Sequence, residues 1–234
     1  MTATPHISPA EMHLGALERH VPIRGLRLLD VGCGAGDFVR LTMNHGADAH
    51  GMEVEDGAIA RAVASGLDPS RIRKGDGSRL PYEDHSFDVV SFVFSFHHVP
   101  PALHTEMLGE VARVLKPGGH MVAFDPRPFG EMTEVIMPIE DETEVRTKAQ
   151  MVLSAPVAPF AGIASEEYEI ERRFANFDAL LDAVVAVDPA RRAKAADPAV
   201  RAETERRFDS HVGPSETSEV TLKQPTVFVL WRRD

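Results

Sequence analysis

The chain has 234 residues, a single cysteine and a formal net charge of −11, from 36 acidic and 25 basic residues. This length suits one domain with ample core, and one cysteine excludes an intrachain disulfide. The acidic balance argues against a nucleic-acid partner, and no apolar run approaches the roughly 18 residues that span a bilayer. The histidines show no zinc-ligand spacing with cysteine, so no metal site is predicted.

The first predicted element is a helix over residues 9–20. Ser8 and Glu11 form the pattern of a capping box, with Pro9 at the first helical position. We interpret residues 1–25 as an N-terminal cover. The first nine residues lack the charged and apolar parts of a signal peptide, so we expect a cytoplasmic protein.

A glycine-rich turn follows the first predicted strand, residues 26–31. Gly32, Gly34 and Gly36 occupy alternate positions between this apolar strand and a predicted helix over 38–45. Glycine allows a sharp turn and close approach of a ligand, and a helix N-terminus presents free N–H groups. The pattern favours a nucleotide-like ligand. The alternative is that the glycines only form a tight connection between the strand and the helix.

Acidic residues around this turn separate two classes of nucleotide. Glu53 ends the second predicted strand, 47–54, at about the distance at which an acid binds ribose hydroxyls in dinucleotide folds. Those folds carry glycine at the sixth position of the turn, where this chain has Asp37. Asp30 adds a second negative charge before the turn. Two acids favour a ligand with a cationic or amino end over one with phosphates, which argues against a nicotinamide dehydrogenase.

Strands and helices alternate through the first half of the chain. After the second strand the sequence predicts a helix over 57–65, a strand over 72–74, a strand over 87–96, a helix over 103–114 and a strand over 120–124. Such alternation predicts an α/β fold with a doubly wound, mostly parallel sheet and helices on both faces.

The remaining sequence is less regular. Residues 126–165 hold several prolines and methionines without a clear period, and either a lid over the site or an ordinary surface connection explains them. Beyond them the sequence predicts a strand over 168–174, helices over 178–187 and 197–208, and a last strand over 225–231.

Five segments in order resemble the class I S-adenosylmethionine-dependent methyltransferases. They are 28–36 (LLDVGCGAG), 51–54 (GMEV), 75–82 (GDGSRLPY), 86–90 (SFDVV) and 110–119 (EVARVLKPGG). The resemblance covers about residues 26–126. It implies a Rossmann-like sheet of seven strands with an antiparallel last strand. Together with the length and the irregular middle segment, we predict one methyltransferase domain over 1–234, with a cofactor-binding core at 26–125, a lid at 126–165 and C-terminal strands and helices at 166–234.

The resemblance also assigns a cofactor site for S-adenosyl-L-methionine. The glycine turn would pack under the methionine part, Glu53 would bind the ribose hydroxyls, and Asp76 would accept the adenine amino group, although Asp76 can equally cap a turn. The predicted cofactor-binding residues are Asp30, Gly32, Cys33, Gly34, Gly36, Glu53, Val54, Asp76, Gly77, Val93 and Phe94.

A histidine pair follows the fourth predicted strand. His97 or His98 could accept a proton from the attacking group of a substrate, but such a pair is often structural in the resembled family. The sequence therefore predicts transfer of a methyl group to an O, N, S or C nucleophile of a small molecule, by a monomer or homodimer. The alternative is a non-catalytic protein that binds the same cofactor on the same fold.

Overall fold

The computed structural model of the protein describes residues 7–76, 79–186, 189–212 and 219–234. Its strands are β1 (Arg27–Val31), β2 (Asp48–Glu53), β3 (Ile72–Lys74), β4 (Phe87–Val93), β5 (Leu115–Pro126), β6 (Phe160–Phe174) and β7 (Val220–Arg233). Its helices are α1 (Pro9–Glu18), α2 (Asp37–Asn44), α3 (Asp56–Ala64), α4 (His104–Val114), α5 (Glu131–Ile136), α6 (Thr143–Leu153), α7 (Phe177–Val185), α8 (Pro189–Ala195) and α9 (Pro198–Asp209).

The strands form one sheet in the order β3-β2-β1-β4-β5-β7-β6. β1, β2, β3, β4 and β5 pair in parallel, and the last strands are antiparallel, as predicted. Asp30 of β1 lies opposite Gly51 of β2 and Ser91 of β4, near the carboxyl ends of these strands. In open α/β sheets this end of the sheet binds ligands.

The chain divides into two compact units. The first comprises residues 1–125, 148–167 and 227–234, and the second comprises 126–147 and 168–226. Buried apolar side chains from β1, β4, β5 and α4 form the core of the first unit, including Leu29, Val90, Phe92 and Val111. The second unit has its own core, in which Leu180, Phe208 and Leu222 are buried.

The observed elements follow the predicted ones most closely before residue 115. The capping box at Ser8 and Glu11 is present, and α2 begins directly after Gly36. Within 126–165, where the sequence shows no clear period, the structure has α5, α6 and the start of β6. β5, β6 and β7 are longer than predicted, and α8 has no predicted counterpart. The single domain with a lid over 126–165 stays a prediction.

Candidate functional site

The glycine turn between β1 and α2 depends on backbone conformations that glycine adopts most easily. Gly32, Gly34 and Gly36 have φ angles of 72°, 54° and 75°. A Cβ added to Gly32 would lie 2.6 Å from Cβ of Ser95, and one added to Gly36 would lie 2.9 Å from Cδ2 of Leu67. A Cβ on Gly34 would meet nothing within 4 Å. Two glycines thus permit packing within the protein, whereas the third faces open space.

Four backbone N–H groups of this turn already have acceptors inside the protein. Gly32 and Cys33 donate to the carbonyl oxygen of Met52 at 2.8 and 3.0 Å, and Gly36 donates to that of Cys33 at 2.9 Å. Gly34 donates to Oε2 of Glu53 at 2.8 Å. The turn therefore differs from a phosphate cradle, in which such N–H groups are directed at the ligand.

The carboxylate of Glu53 is held at the end of β2 by backbone donors. Besides Gly34, the backbone N–H groups of Val54 and Glu55 donate to its Oε1 at 2.8 and 3.1 Å. The residue is buried, with 8% of its surface exposed. Because an ionised carboxylate has about four acceptor positions, this arrangement orients Glu53 and leaves capacity for one further donor.

Asp30 is fully buried beside the turn. Oγ of Ser91 donates to Oδ1 of Asp30 at 2.7 Å. Burial raises the pKa of Asp30 to about 7, the Ser91 hydrogen bond opposes this shift, and the charge of Glu53 adds to it. Because this pKa is close to neutral pH, a cation placed beside Asp30 would shift its carboxyl group towards the ionised form.

Cys33 lies inside the turn as a packing residue. It is buried, and Gly51 leaves room for it, because a Cβ on Gly51 would lie 2.5 Å from Sγ of Cys33. Burial, followed by the charges of Asp30 and Glu53, raises the pKa of the thiol far above its usual range. Cys33 therefore remains a neutral thiol, which is not reactive as a nucleophile.

Phe94 follows β4 in a strained conformation, with φ of 55°. Its N–H donates to the carbonyl oxygen of Phe124 at 2.8 Å. Val93 and Phe94 are both partly exposed at the end of the strand. Positive φ at a bulky residue is uncommon and persists only where the surrounding structure holds it; the role of Phe94 in a cofactor site stays a prediction.

The two predicted catalytic histidines differ in environment. His97 is buried, and its Nδ1 lies 3.1 Å from both carboxylate oxygens of Asp125. The backbone N–H of His97 also donates to Oδ2 of Asp125 at 3.3 Å. His98 is exposed, with its ring 4.2 Å from that of His97. Because carboxylate oxygens accept hydrogen bonds, Asp125 favours the tautomer of His97 that carries its hydrogen on Nδ1.

The sequence analysis did not identify His13 or Asp125 as site residues. His13, on α1, is buried with its ring 4.8 Å from Phe124 and 5.3 Å from Phe94. Burial lowers the pKa of His13 to about 3, so its ring is neutral. The sequence does contain one indication of His13, since a histidine there occupies a position among the apolar residues of α1.

The remaining predicted residues lie at the ends of β2 and β3. Val54 follows β2 with 54% of its surface exposed, which is unusual for valine. Asp76 is exposed just beyond β3. Gly77 lies outside the described residues. No helix within the described part of the chain is long and apolar enough to cross a membrane.

Comparison with known proteins supports the resemblance found in the sequence. Residues 29–123 match the model of a methyltransferase domain family. The chain is 37% identical over 136 residues to phthiotriol/phenolphthiotriol dimycocerosates methyltransferase 1 of Mycobacterium ulcerans, covering 54% of this chain and 48% of that protein. It is 36% identical over 121 residues to 27-O-demethylrifamycin SV methyltransferase of Amycolatopsis mediterranei, covering 47% and 44%. The chain thus matches about half the length of these curated relatives.

Among solved structures, the YcgJ protein of Bacillus subtilis shares the fold. The two chains align with a TM-score of 0.60 at 17% identity, over 95% of this chain and 98% of the other. At this identity the likeness concerns the fold alone.

Proposed function

We propose that the chain, whose residues 29–123 match a methyltransferase domain family, is an S-adenosylmethionine-dependent methyltransferase of small molecules. The observation that carries the proposal is the turn around Gly34. Its open face, its occupied N–H groups and the acids Asp30 and Glu53 suit a ligand with a cationic centre and hydroxyl donors.

We propose a role for each of the predicted residues. Glu53, oriented by three backbone donors, would accept one ribose hydroxyl at its remaining acceptor position, and exposed Val54 would contact the adenine. Asp76 and Gly77 would bind the adenine edge. Gly32, Cys33, Gly34 and Gly36 would form the surface under the methionine part, with Val93 and Phe94 beside it. Asp30 would offset its positive charge.

The bound cofactor supplies a methyl group on an electrophilic sulfonium. The protein's own contribution is then to position the acceptor and, where the acceptor is a hydroxyl or an amine, to take its proton. We propose His97 for this second task. The contact between Nδ1 of His97 and the carboxylate of Asp125 orients the ring and supports this assignment.

The acceptor is proposed to be a small molecule with an O, N, S or C nucleophile. The named relatives are methyltransferases of phthiotriol or phenolphthiotriol dimycocerosates and of 27-O-demethylrifamycin SV, which supports a small-molecule acceptor. The acidic charge of the chain adds no support for a nucleic-acid substrate. A cytoplasmic monomer or homodimer remains our expectation.

Calorimetry tests the cofactor proposal. S-adenosylhomocysteine should bind with micromolar affinity, whereas NAD should give no heat. Binding of NAD, or the absence of binding by S-adenosylhomocysteine, would contradict it. If S-adenosylhomocysteine binds but methyl-labelled cofactor transfers nothing to any component of a small-molecule extract, the non-catalytic alternative holds instead.

The role of His97 is tested by Asp125→Asn, which keeps the shape of the side chain and removes its charge. Once an acceptor is found, turnover should fall, by at most the roughly 10²–10⁴-fold that a general base contributes. S-adenosylhomocysteine affinity should stay constant. A parallel fall of melting temperature and cofactor affinity would indicate a structural role for the pair.

A further inference from the structure

The first helix brings a buried aromatic ring to the carboxyl end of the sheet. The ring of His13 on α1 has its centre 5.3 Å from that of Phe94 and 4.8 Å from that of Phe124. Both distances are typical of attractive aromatic pairs, and the ring planes of His13 and Phe94 meet at 64° in an edge-to-face arrangement. Because burial lowers the pKa of His13 to about 3, the ring is neutral and packs as an aromatic group without a charge.

The backbone of Phe94 depends on its surroundings. Its φ of 55° lies in the left-handed region, which is unfavourable for a bulky side chain and persists only where neighbouring groups hold it. The N–H of Phe94 donates to the carbonyl oxygen of Phe124 at 2.8 Å, which fixes the backbone from the side of β5. The ring of His13 packs against the side chain of Phe94 from α1. One of these two contacts therefore comes from a helix outside the five segments of the family resemblance.

The residue after Phe94 packs directly on the glycine turn. A Cβ added to Gly32 would lie only 2.6 Å from Cβ of Ser95, and Oγ of Ser95 donates a hydrogen bond to the carbonyl oxygen of Val31. Because Ser95 is bonded to Phe94, a change in the φ angle of Phe94 moves Ser95 relative to Val31 and Gly32. A continuous path of contacts thus joins α1 to the turn, through His13, Phe94, Ser95 and Gly32.

We propose that His13 is a positioning residue for cofactor binding. Its ring holds Phe94 in the left-handed conformation, Phe94 keeps Ser95 against Gly32, and the glycine turn thereby keeps the shape in which it binds S-adenosylmethionine. With 2% of its surface exposed, His13 acts through Phe94 and not by a contact of its own with the cofactor. This inference rests on the proposed function, since it takes the turn as part of the cofactor site.

The experiment compares the affinity for S-adenosylhomocysteine, measured by calorimetry, between the wild type and variants at position 13. His13→Leu keeps a buried apolar side chain but removes the ring, and the affinity should fall about 3- to 10-fold, the equilibrium factor that corresponds to one aromatic pair. His13→Phe keeps a ring at the same place and should recover most of that loss. A residue that only filled apolar volume under α1 would not distinguish a ring from a leucine side chain.

His20→Leu is the matched control. His20 follows α1 and stacks on Phe228 with the ring centres 5.7 Å apart, so the same substitution removes an aromatic contact that does not involve Phe94. The affinity of His20→Leu should equal that of the wild type. Gly15 is exposed on α1, and an added Cβ would meet nothing within 4 Å. Gly15→Ala should therefore strengthen the helix, and it supplies a stabilised background if His13→Leu alone melts below the assay temperature.

Phe94→Gly tests whether the effect of His13 passes through Phe94. Glycine adopts positive φ without strain, so in this background the ring of His13 has neither a side chain to pack against at position 94 nor a strained backbone to hold. Adding His13→Leu to Phe94→Gly should change the affinity by less than about twofold, because both substitutions remove the same contact.

Three results would overturn the proposal. They are a folded His13→Leu that binds as the wild type does, equal losses of affinity in His13→Leu and His20→Leu, and a loss from His13→Leu that persists undiminished in Phe94→Gly. Each of them leaves the proposed function intact, because the wild type still binds S-adenosylhomocysteine. A wild type that does not bind it refutes the proposed function, and this inference with it.

Discussion

Replacing Glu53 by glutamine tests whether this acid both holds the glycine turn and binds the cofactor. The carboxylate accepts hydrogen bonds from the backbone of Gly34, Val54 and Glu55, on two different oxygens. A glutamine has one acceptor oxygen, so its NH₂ group would face either the N–H of Gly34 or those of Val54 and Glu55. At least one charge-assisted hydrogen bond is lost in either orientation.

The magnitude of the effect follows from that loss. Hydrogen bonds to charged groups contribute about 1.5–3 kcal/mol, which for a chain of this size lowers the melting temperature by roughly 3–12 °C. If the same carboxylate binds ribose hydroxyls, the affinity for S-adenosylhomocysteine should also fall about 10- to 150-fold. Calorimetry on the folded variant measures this second effect separately from the first.

The matched control is Glu55→Gln. It makes the same charge change two residues away, at the N-cap of α3, where the side chain makes no capping hydrogen bond. We expect little change in melting temperature or affinity. A Glu53→Gln variant that melts early yet binds S-adenosylhomocysteine as the wild type does would refute the ribose role and leave Glu53 a structural residue of the turn.

Three further predictions concern the same unit and the lid. The pKa of Asp30 is raised to about 7 from 3.8, so its contribution to stability is fully present below about pH 4 and is lost as pH rises through 7. The melting temperature of the free protein should fall from pH 5 to pH 8 more than that of Asp30→Asn, and an equal fall in both would contradict the shift. Gly34 and Gly66 both have positive φ and open space around a Cβ, so Gly34→Ala and Gly66→Ala should lower stability by similar amounts. Only Gly34→Ala should also weaken S-adenosylhomocysteine binding. Equal affinities of the two variants would remove Gly34 from the site. Limited proteolysis within 126–160 should slow on binding of S-adenosylhomocysteine if this segment is a lid, and unchanged cutting rates would identify an ordinary connection.

The sequence alone was sufficient for the parallel half of the fold and the position of the turn. Buried parallel strands are apolar along their whole length, and glycine, proline and capping residues mark where they end. These signals are local, so β1, α2 and the capping box at Ser8 appear close to where they were predicted, and β4 begins at the predicted residue but ends at Val93 instead of 96. The acid Glu53 could be identified for the same reason, since one strand and one turn determine its distance from Gly36.

What only the tertiary structure decided are the partners that arrive from distant parts of the chain. Asp125 meets His97, and His13 packs on Phe94 and Phe124, because separate elements end or cross at the same place. Arg146 of α6 and Arg191 of α8 likewise meet at the carboxylate of Glu142. Burial, hydrogen-bond partners and pKa values depend on these non-local contacts, and a linear pattern does not contain them.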